Sequence, residues 1–510
     1  MDVLFINPGN AKNIYQDLAE DYSAIETPTW SLLLAQSCRS VGYEVGILDA
    51  NAERLTEEQV SNKVNELNPR LVCFVVYGQN PNSGTVNMSG TVTLAKAIKD
   101  SGFKSPISVV GSHVQALPYE TLEREDDLDF IFINEGVYSL WNVLKLDDIG
   151  DIEHLKTVNG LGIRVNGKVR LTAPERIVPH ERMDQDLPGY AWDLLPFKEK
   201  PFDLYRAHFW HAEYDHDKRT PFAAIYTSLG CPFKCSFCMI NIINRDDEDP
   251  VGDAANYSKM RFWSPEFIIK EFDKLVELGV KTLRISDEMF LLNKKYYVPL
   301  CKLLKERGYG DILSMWAYSR VDTIRDPKNL ELLKEAGIKW LGIGIESADP
   351  SVRLEVTKGK FENIDIREVI EKVHDAGLGV IANYLFGLTG DNMESMQKTL
   401  DLSLELNTIA WNGYAVMALP GSKVYKDAIQ SGFELPNDYI GYSFHSYETK
   451  PLPTKYLTPA QILKFRDDAW MKYHTHPPFL EKMEKLHGKK IRQNIEDMTK
   501  IKLKRKILGD

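Results

Sequence analysis

Three cysteines within eight residues are the strongest chemical signal in this sequence. Cys231, Cys235 and Cys238 lie in the segment Leu229–Met239 with the spacing C-x3-C-x2-C. Cysteine thiolates are the usual ligands of iron–sulfur clusters, and a cubane cluster has four irons to ligate. Three local thiolates therefore leave one iron open to a substrate or a cofactor. This pattern indicates a catalytic cluster rather than a cluster that only carries electrons.

A zinc site is the main alternative for these cysteines. Structural zinc sites normally need four Cys or His ligands arranged in paired knuckles, and no second cysteine pair exists here. The other three cysteines are scattered; Cys38 and Cys73 lie in apolar segments and are expected to behave as small core residues, and Cys301 stands alone. Disulfides are not expected in a chain with so few cysteines and no secretory signal.

Polar side chains close three strands that the sequence predicts downstream of the cysteines. A carboxylate at such a position can accept hydrogen bonds from an ammonium group, and a planar guanidinium suits a carboxylate. For each residue alone, an ordinary salt bridge or a helix cap is the alternative. The ordered set predicts a binding site, and its members are Ser286, Asp287, Glu288, Arg320, Glu346 and Ser347.

These residues and the cysteines belong to six predicted strand–helix units. Repeated β-α units predict a barrel or a partial (β/α)6 barrel, whose active site lies at the carboxyl ends of its strands. The cysteines follow the first of these strands, as that rule requires. The predicted strands are Ala223–Ser228, Thr282–Ser286, Ser314–Tyr318, Trp340–Ile345, Val380–Phe386 and Ala410–Ala418.

The first 145 residues also alternate between strand and helix patterns, which predicts an α/β fold with a Rossmann-like, doubly wound parallel sheet. Ligands of such sheets bind beyond the carboxyl ends of the strands. No G-x-G-x-x-G follows the first strand, which disfavours a dinucleotide. The predicted strands are Val3–Asn7, Glu44–Asp49, Leu71–Tyr77, Ile107–Val110 and Phe130–Asn134. The candidate ligand-binding residues at their ends are Asn7, Pro8, Tyr77, Gly78, Gly111, Ser112, His113, Glu135 and Gly136.

Length and composition predict several globular domains. The chain has 510 residues, with 43% hydrophobic and 26% charged residues, which is ordinary for a globular protein but too long for one core. We expect a first domain over residues 1–150, a linker over 151–220, a barrel over 221–425 and a small, mostly helical C-terminal region over 426–510. The linker is dense in aromatic residues and histidines between residues 186 and 216, so it is either simply packed or contributes partly to an active site.

Charge and hydropathy limit the possible partners. The net charge of −11 argues against a general nucleic-acid binder. The basic stretch between residues 489 and 506 is expected to be a solvated helix face, with an RNA contact as the alternative. The amino terminus does not read as a signal peptide, and no apolar run approaches the length of a membrane span. We expect a cytoplasmic protein without a membrane partner.

The cysteine motif resembles that of radical S-adenosylmethionine (SAM) enzymes, where SAM chelates the open iron through its amino and carboxylate groups. Phe237 stands just before the last cysteine, and Gly344–Ser347 reads Gly-Ile-Glu-Ser, as in the family. The resemblance implies that Phe237 and Ser286 border SAM and that Asp287 or Glu288 holds its amino group. It also implies that Arg320 pairs with its carboxylate, and that Glu346 or Ser347 contacts its ribose or methionine part.

The first region resembles the cobalamin-binding domain that precedes the radical module in one branch of this superfamily. The matching stretches are Leu4–Pro8, Gly42–Asp49, Val109–His113 with Pro118, and Ile133–Gly136. The resemblance implies that the nine strand-end candidates contact cobalamin. The motif D-x-H-x-x-G is absent, so we expect cobalamin bound without a histidine lower ligand, with His113 orienting a loop or contacting the corrin edge. A plain Rossmann-like domain is the alternative.

Together these resemblances imply a cobalamin-dependent radical SAM enzyme with a [4Fe-4S] cluster, SAM and cobalamin. They imply methyl transfer to an unactivated carbon, or less often phosphorus, of a small molecule, with an electron donor such as flavodoxin or ferredoxin. A radical cyclase or rearrangement enzyme and a non-catalytic cobalamin or cluster sensor are the alternatives. Transfer-RNA methylthiolation is disfavoured, because neither a second three-cysteine domain nor a small RNA-binding barrel is seen in the sequence.

Overall fold

Two parallel sheets organise the chain in a computed structural model that describes residues 1–78, 81–197, 204–324, 327–357 and 364–510. The first sheet has the strand order β2-β1-β3-β4-β5-β6-β7. Its strands are β1 (Val3–Asn7), β2 (Val45–Asp49), β3 (Leu71–Val76), β4 (Ile107–Gly111), β5 (Phe130–Phe132), β6 (Leu161–Val165) and β7 (Lys168–Leu171).

Strands β1 to β5 are parallel and almost entirely buried, as their apolar runs require of a sheet covered on both faces. The order reverses between β1 and β3, and ligands of such sheets bind at this switch point. The hairpin β6–β7 adds two antiparallel strands at one edge. The first sheet is therefore mixed rather than purely parallel and extends past residue 150.

Helices cover both faces of this sheet. They are α1 (Ala11–Tyr15), α2 (Leu18–Asp21), α3 (Thr29–Ser40), α4 (Glu57–Leu67), α5 (Gly84–Asp100), α6 (Ser112–Ala116), α7 (Pro118–Arg124), α8 (Val137–Leu144), α9 (Ile152–Leu155) and α10 (Met183–Asp186). The sequence pattern predicts a helix over Thr91–Ser101, and helix α5 begins seven residues earlier, at Gly84. Gly84 and Gly90 permit this start, because a Cβ atom would lie 2.5 Å from the Val76 carbonyl oxygen and 2.8 Å from that of Gly9, respectively.

The second sheet is built from six parallel strands in chain order. The strands of this region are β8 (Phe222–Ile225), β9 (Ser228–Gly230), β10 (Met260–Phe262), β11 (Thr282–Ile285), β12 (Ser314–Arg320), β13 (Ile338–Glu346), β14 (Gly379–Phe386) and β15 (Ala410–Ala415). The order β8-β11-β12-β13-β14-β15 confirms the predicted partial barrel. The first barrel strand ends at Ile225 and not at the predicted Ser228. Ser228 instead starts β9, which pairs with β10 in a separate antiparallel ribbon.

Among the described residues, seven helices alternate with or directly follow these strands, and three more lie in the C-terminal region. They are α11 (Pro265–Glu277), α12 (Lys294–Glu306), α13 (Pro327–Glu335), α14 (Pro350–Thr357), α15 (Ile366–Asp375), α16 (Met393–Leu406), α17 (Lys423–Gln430), α18 (Pro459–His474), α19 (Pro477–His487) and α20 (Lys489–Met498). Side-chain oxygens of Ser264, Asn392, Ser422 and Thr458 cap four of them, which satisfies backbone donors that a helix start leaves open.

The basic residues of the C-terminal region are largely paired with carboxylates. Lys490 binds Asp215 and Asp217, Arg492 binds Glu484 and Glu496, Arg505 binds Asp467, and Lys506 binds Glu448. These pairs neutralise much of the charge that an RNA contact would need. Within the described ranges, no helix is long and apolar enough to cross a bilayer.

Candidate active site

The three cysteines lie in one loop between β9 and the following helical turn. Gly230 precedes the loop at a φ of +84°, where a Cβ atom would lie 2.2 Å from the Lys259 carbonyl oxygen, so only glycine fits. The backbone N–H of Cys231 donates to Asn241 Oδ1 over 2.8 Å. The N–H of Cys238 donates to the Cys235 carbonyl over 3.2 Å. These bonds turn the three thiols toward a cavity of about 30 Å³.

The donor set fits an iron–sulfur cluster better than a single ion. Among the described residues, no three His, Cys, Asp or Glu side chains are grouped closely enough for one metal ion, whereas each thiolate of a cubane binds a different iron. Burial raises the pKa of Cys231 to about 12 and that of Cys235 to about 11. Buried thiolates need nearby positive charge, which iron would supply.

Asp287 holds the start of the cysteine loop against β11. Its carboxylate accepts hydrogen bonds from the Thr227 N–H at 2.5 Å, the Thr227 hydroxyl at 2.6 Å and the Ser228 hydroxyl at 2.6 Å. The side chain is fully buried, and burial raises its pKa to about 6. Asp287 therefore has its acceptor capacity engaged by the protein itself.

Glu288, by contrast, has acceptor capacity to spare. Its Oε1 atom is buried without a hydrogen-bond partner among the described residues, as is the hydroxyl of Ser286. Burial, followed by the nearby Asp287, raises the pKa of Glu288 to about 8, against the opposing effect of Arg284. The residue also lines a cavity of about 740 Å³. A carboxyl group in this state fits an incoming N–H donor, such as the amino group of SAM.

Arg320 connects the third barrel strand to the cysteine loop. Its guanidinium carbon lies 3.7 Å from the ring centroid of Phe233, inside that loop. It also makes two bonds of 2.9 Å to the carboxylate of Asp322. The predicted contact of Arg320 with a SAM carboxylate is not tested by this geometry, although the residue stands beside the cluster site.

Glu346 and Ser347 lie side by side but in different surroundings. Glu346 lines the large cavity and adopts a φ of +63°, a strained conformation for a residue with a side chain. Burial raises its pKa to about 7, against the opposing effect of Arg320. Ser347 is buried behind the strand, where its hydroxyl lies 3.3 Å from that of Thr399 and accepts from the Asp349 N–H.

One cavity of about 740 Å³ is bordered by both halves of the protein. Its size is in the range of cofactor and ligand sites. The first sheet contributes Asn7, Pro8 and Gly78 from its carboxyl edge, and the barrel contributes Phe237, Glu288 and Glu346. No histidine of residues 1–150 is among the described residues that line it. The binding of cobalamin without a histidine lower ligand stays a prediction.

The other predicted cobalamin residues lie outside the cavity wall and support the loops around it. Tyr77 stacks on Trp30 at 4.4 Å and accepts a hydrogen bond from Gln115. His113 Nδ1 lies 3.1 Å from the Thr85 hydroxyl, and burial lowers its pKa to about 3, so it is neutral. Gly111, Ser112 and Gly136 turn the chain at the strand ends, with φ values of +156° and +87° at the two glycines.

Glu135 joins the first sheet to the barrel region. Its carboxylate binds Arg261 on β10 at 2.7 Å and accepts from the Val178 N–H at 2.5 Å. This buried pair gives the residue a structural partner on each side. A contact of Glu135 with cobalamin stays a prediction.

Several wall residues were not singled out from the sequence as site residues. Glu26 forms a buried ion pair with Arg284 of β11 at 2.6 Å, and His208 Nε2 lies 3.1 Å from the same carboxylate. Trp210, Trp316, Tyr318, Asn383, Asn412 and Tyr414 line the same cavity. The aromatic and histidine density of the linker pointed toward His208 and Trp210. Glu26 carries no sequence signal, because its partner is 258 residues away.

The site thus combines a loop of three cysteines after the first strand of a parallel half-barrel with a cavity that reaches the switch point of a Rossmann-like sheet. The model of the radical SAM superfamily matches residues 225–403, and that of the B12 binding domain matches residues 16–144. The chain belongs to the radical SAM enzymes that carry a cobalamin-binding domain. This confirms the expected family, its enzymatic nature and its cofactors, which are a [4Fe-4S] cluster, SAM and cobalamin.

Individual relatives agree with this assignment. The chain is 25% identical over 462 residues to the uncharacterized methyltransferase PH0819 of Pyrococcus horikoshii, covering 90% of both chains. It is 22% identical over 482 residues to the anaerobic magnesium-protoporphyrin IX monomethyl ester cyclase of Cereibacter sphaeroides, covering 91% of this chain and 68% of the relative. The radical SAM methyltransferase TsrM of Kitasatospora setae shares the fold, with a TM-score of 0.64, 16% identity and coverage of 98% and 99%.

Proposed function

We propose that the protein transfers a methyl group from SAM, by way of cobalamin, to an unactivated carbon, or less often phosphorus, of a small molecule. The observation that carries this proposal is the single cavity bordered by the switch point of the first sheet and by the mouth of the barrel. Two cofactor sites that open into one cavity can act on one substrate. Similarity to a methyltransferase over 90% of the chain supports the same reaction class.

The chain's own residues divide the work. Cys231, Cys235 and Cys238 hold the cluster, and Asp287 fixes the loop that carries them. Glu288 accepts a hydrogen bond from the SAM amino group, Arg320 faces its carboxylate, and Glu346 with Phe237 borders the rest of the molecule. Asn7, Pro8 and Gly78 form the near wall of the cobalamin site. When bound, the cofactors supply the carbon radical and the methyl group; the protein excludes water and holds the substrate C–H bond in place.

We assign domain roles accordingly: residues 1–150 bind cobalamin, 221–425 form the radical module, and 151–220 with 426–510 close the cavity from the side. The cluster also needs an external electron donor such as flavodoxin or ferredoxin. The outward side of the cysteine loop suits such a donor, because Pro232 and Lys234 are exposed there.

A methyl-labelled SAM experiment tests the proposal. The anaerobically reconstituted protein is incubated with trideuteromethyl-SAM, a reductant and an extract of small metabolites. We expect 5′-deoxyadenosine and a metabolite that has gained the labelled methyl group, and neither product from a variant with all three cysteines changed to alanine. Deoxyadenosine without label would overturn methyl transfer in favour of a cyclase or rearrangement enzyme, the activity named for one relative. Absence of both products would favour a sensor.

A further inference from the structure

Part of the large cavity is not used by the residues proposed to hold cobalamin and SAM. We call it the chamber; its wall comes from the linker, the inside of the barrel and the C-terminal region. Its defining residues are Trp210, Trp316, Tyr318, Asn383, Asn412 and Tyr414, all of which line the cavity. A substrate that reaches both cofactors has to occupy this space.

One part of the chamber wall consists of aromatic rings that contact one another. Trp210 meets Trp316 at 4.9 Å and 76°, and Trp316 meets Tyr318 at 4.6 Å and 68°. The imidazole of His208 stacks on Trp210 at 5.3 Å with an interplanar angle of 11°. Edge-to-face and stacked contacts of this kind hold rings in fixed orientations and present flat apolar faces to a neighbour.

The charged residues of this wall are already neutralised by partners within the protein. Glu26 pairs with Arg284, and burial, outweighed by Arg284 and His208, leaves the pKa of Glu26 below its usual value. Arg466 donates to the Gly413 carbonyl and pairs with Asp467. With Glu288 and Glu346 assigned to SAM, neither Glu26 nor Arg466 offers a free counter-charge to a charged substrate, and burying an uncompensated charge is costly.

Neutral hydrogen-bonding groups also line the chamber. Asn383 and Asn412 lie on paired positions of β14 and β15, and the amide nitrogen of Asn412 donates to Asn383 Oδ1 over 3.1 Å. That bond orients the Asn412 carbonyl oxygen as an acceptor. Tyr414, two residues along the same strand, brings a hydroxyl that can donate or accept.

We propose that the substrate is an uncharged compound with a planar ring system, which packs against Trp210, Trp316 and Tyr318 and directs a neutral polar group to Asn412 and Tyr414. This inference rests on the proposed function, because it takes Glu288 and Glu346 as residues of the SAM site. It adds what that function leaves open, namely the charge and shape of the acceptor.

Four probes of equal size test the proposal with the complete enzyme, loaded with cluster, cobalamin and SAM. They are 2-naphthalenemethanol, 2-naphthoate, 2-naphthylmethylammonium and the saturated decahydro-2-naphthalenemethanol, with Kd measured by ligand-observed NMR titration. We expect the neutral aromatic probe to bind at least about tenfold more tightly than either charged probe and several-fold more tightly than the saturated one. Equal or tighter binding of a charged or saturated probe would overturn the proposal.

Two substitutions place the probe in the chamber. Tyr414→Phe should weaken the alcohol about fivefold, the usual effect of one lost hydrogen bond. The matched control is Tyr384→Phe, because the Tyr384 hydroxyl is buried without a partner among the described residues and does not line the cavity; it should leave Kd unchanged. Equal effects of both variants, or none from Tyr414→Phe, would contradict the assignment.

Introducing a carboxylate into the chamber provides the second test. Asn412→Asp keeps the side-chain shape and supplies a counter-charge, so it should shift preference toward the ammonium probe by about tenfold. No shift would count against the chamber as the binding place. Probe binding is measured separately from the formation of deoxyadenosine and of labelled product. If no methyl group is transferred but the probes bind with the expected preferences, only the proposed function is overturned. If the methyl group is transferred but the probes do not show the expected preferences, only this inference is overturned.

Discussion

At the scale of single residues, two adjacent carboxyl groups have opposite situations. Asp287 has three donors from the protein, whereas Glu288 keeps a buried oxygen without a partner among the residues that the structure describes. We expect Glu288→Gln to raise the Kd for SAM by about 10- to 100-fold, because a neutral amide replaces the carboxyl group that accepts from the SAM amino group, and hydrogen bonds to charged groups are the stronger ones. Equilibrium dialysis of labelled SAM against the cluster-loaded protein measures this.

The control for that substitution is Glu277→Gln, which makes the same chemical change on the exposed side of α11. SAM affinity should not respond to it. If Glu288→Gln leaves SAM affinity unchanged while the cluster is intact, another residue holds the amino group of SAM.

The buried carboxyl group of Asp49, in the first region, should make the stability of the fold depend on pH. Its carboxyl group binds the Asn7 amide at 2.7 Å and the Tyr205 hydroxyl at 3.1 Å, yet burial raises its pKa from 3.8 to about 6. A raised carboxyl pKa stabilises the fold below the unfolded pKa, and this contribution is lost as the pH rises through about 6. The rise corresponds to about 3 kcal/mol at most.

Asp49→Asn removes this titration. Between pH 5 and pH 8, the wild type should therefore lose about 1 to 1.5 kcal/mol more unfolding free energy than the variant does, because only about one pH unit of the raised range lies above pH 5. Urea titration at both pH values measures this. Asp126→Asn, on an exposed loop, should behave like the wild type. Parallel pH profiles for wild type and Asp49→Asn would show that Asp49 is already ionised at low pH.

At the scale of elements, the loop that carries the cysteines depends on a clamp between two strands. Thr227 and Ser228 enter the loop after β8, and both donate to Asp287 after β11. Changing Thr227 to Val together with Ser228 to Ala removes two donors, and each lost bond costs about 1 kcal/mol. We expect less iron and sulfide per chain at limiting iron, with unchanged circular dichroism.

Thr282→Val is the matched control for this double variant. Thr282 starts β11 at the opposite end of the strand, where its hydroxyl meets the Lys218 carbonyl at 3.4 Å. It should bind a full cluster. Full cluster occupancy in the Thr227/Ser228 double variant would mean that the cysteines and Asn241 suffice to shape the loop.

The same elements show what the sequence could predict. Strands with long apolar runs, such as β1 and β3, and capped amphipathic helices, such as α4, lie within a residue of their predicted bounds. The start of α5 was missed because its first residues, Gly84 to Gly90, are poor helix formers that adopt the helix only through packing against β3 and Gly9. The β9–β10 ribbon was missed because its partner strands are far apart in the chain.

The site divides along similar lines. The cysteines, Glu288 and Glu346 follow local motifs, so pattern could find them. Glu135 and Tyr77 follow equally recognisable motifs, yet they engage Arg261 and Trp30 away from the cavity wall. Side-chain direction depends on partners that a motif does not contain. For the same reason, Asn412 and Tyr414 became visible only when the strands were placed side by side.

At the scale of the whole molecule, a buried ion pair joins the two halves. Glu26 precedes α3 of the first region, Arg284 belongs to β11 of the barrel, and His208 reaches the same carboxylate from the linker. The side chains of Glu26 and Arg284 are 6% and 1% exposed. The pair therefore fixes the first sheet relative to the barrel where the walls of the cavity meet.

Breaking this pair from one side should be costly. Glu26→Gln leaves the Arg284 guanidinium buried without its counter-charge, so we expect the free energy of unfolding to fall by about 3 to 5 kcal/mol. Glu26→Met combined with Arg284→Met removes both charges and should recover most of that loss, because well-packed apolar replacements of buried pairs are often neutral. Urea unfolding of the single and double variants completes the cycle.

An exposed pair between the first region and the linker gives the scale for comparison. Arg39 of α3 binds Asp193 of the linker at 2.9 Å, with side chains 35% and 66% exposed; Asp193→Asn should cost less than about 1 kcal/mol, since water screens such pairs. If Glu26→Gln costs no more than Asp193→Asn, the buried pair does not hold the halves together. If the Met pair stays as unstable as Glu26→Gln, geometry rather than charge is what the pair provides, and the cavity would depend on the shape of these side chains.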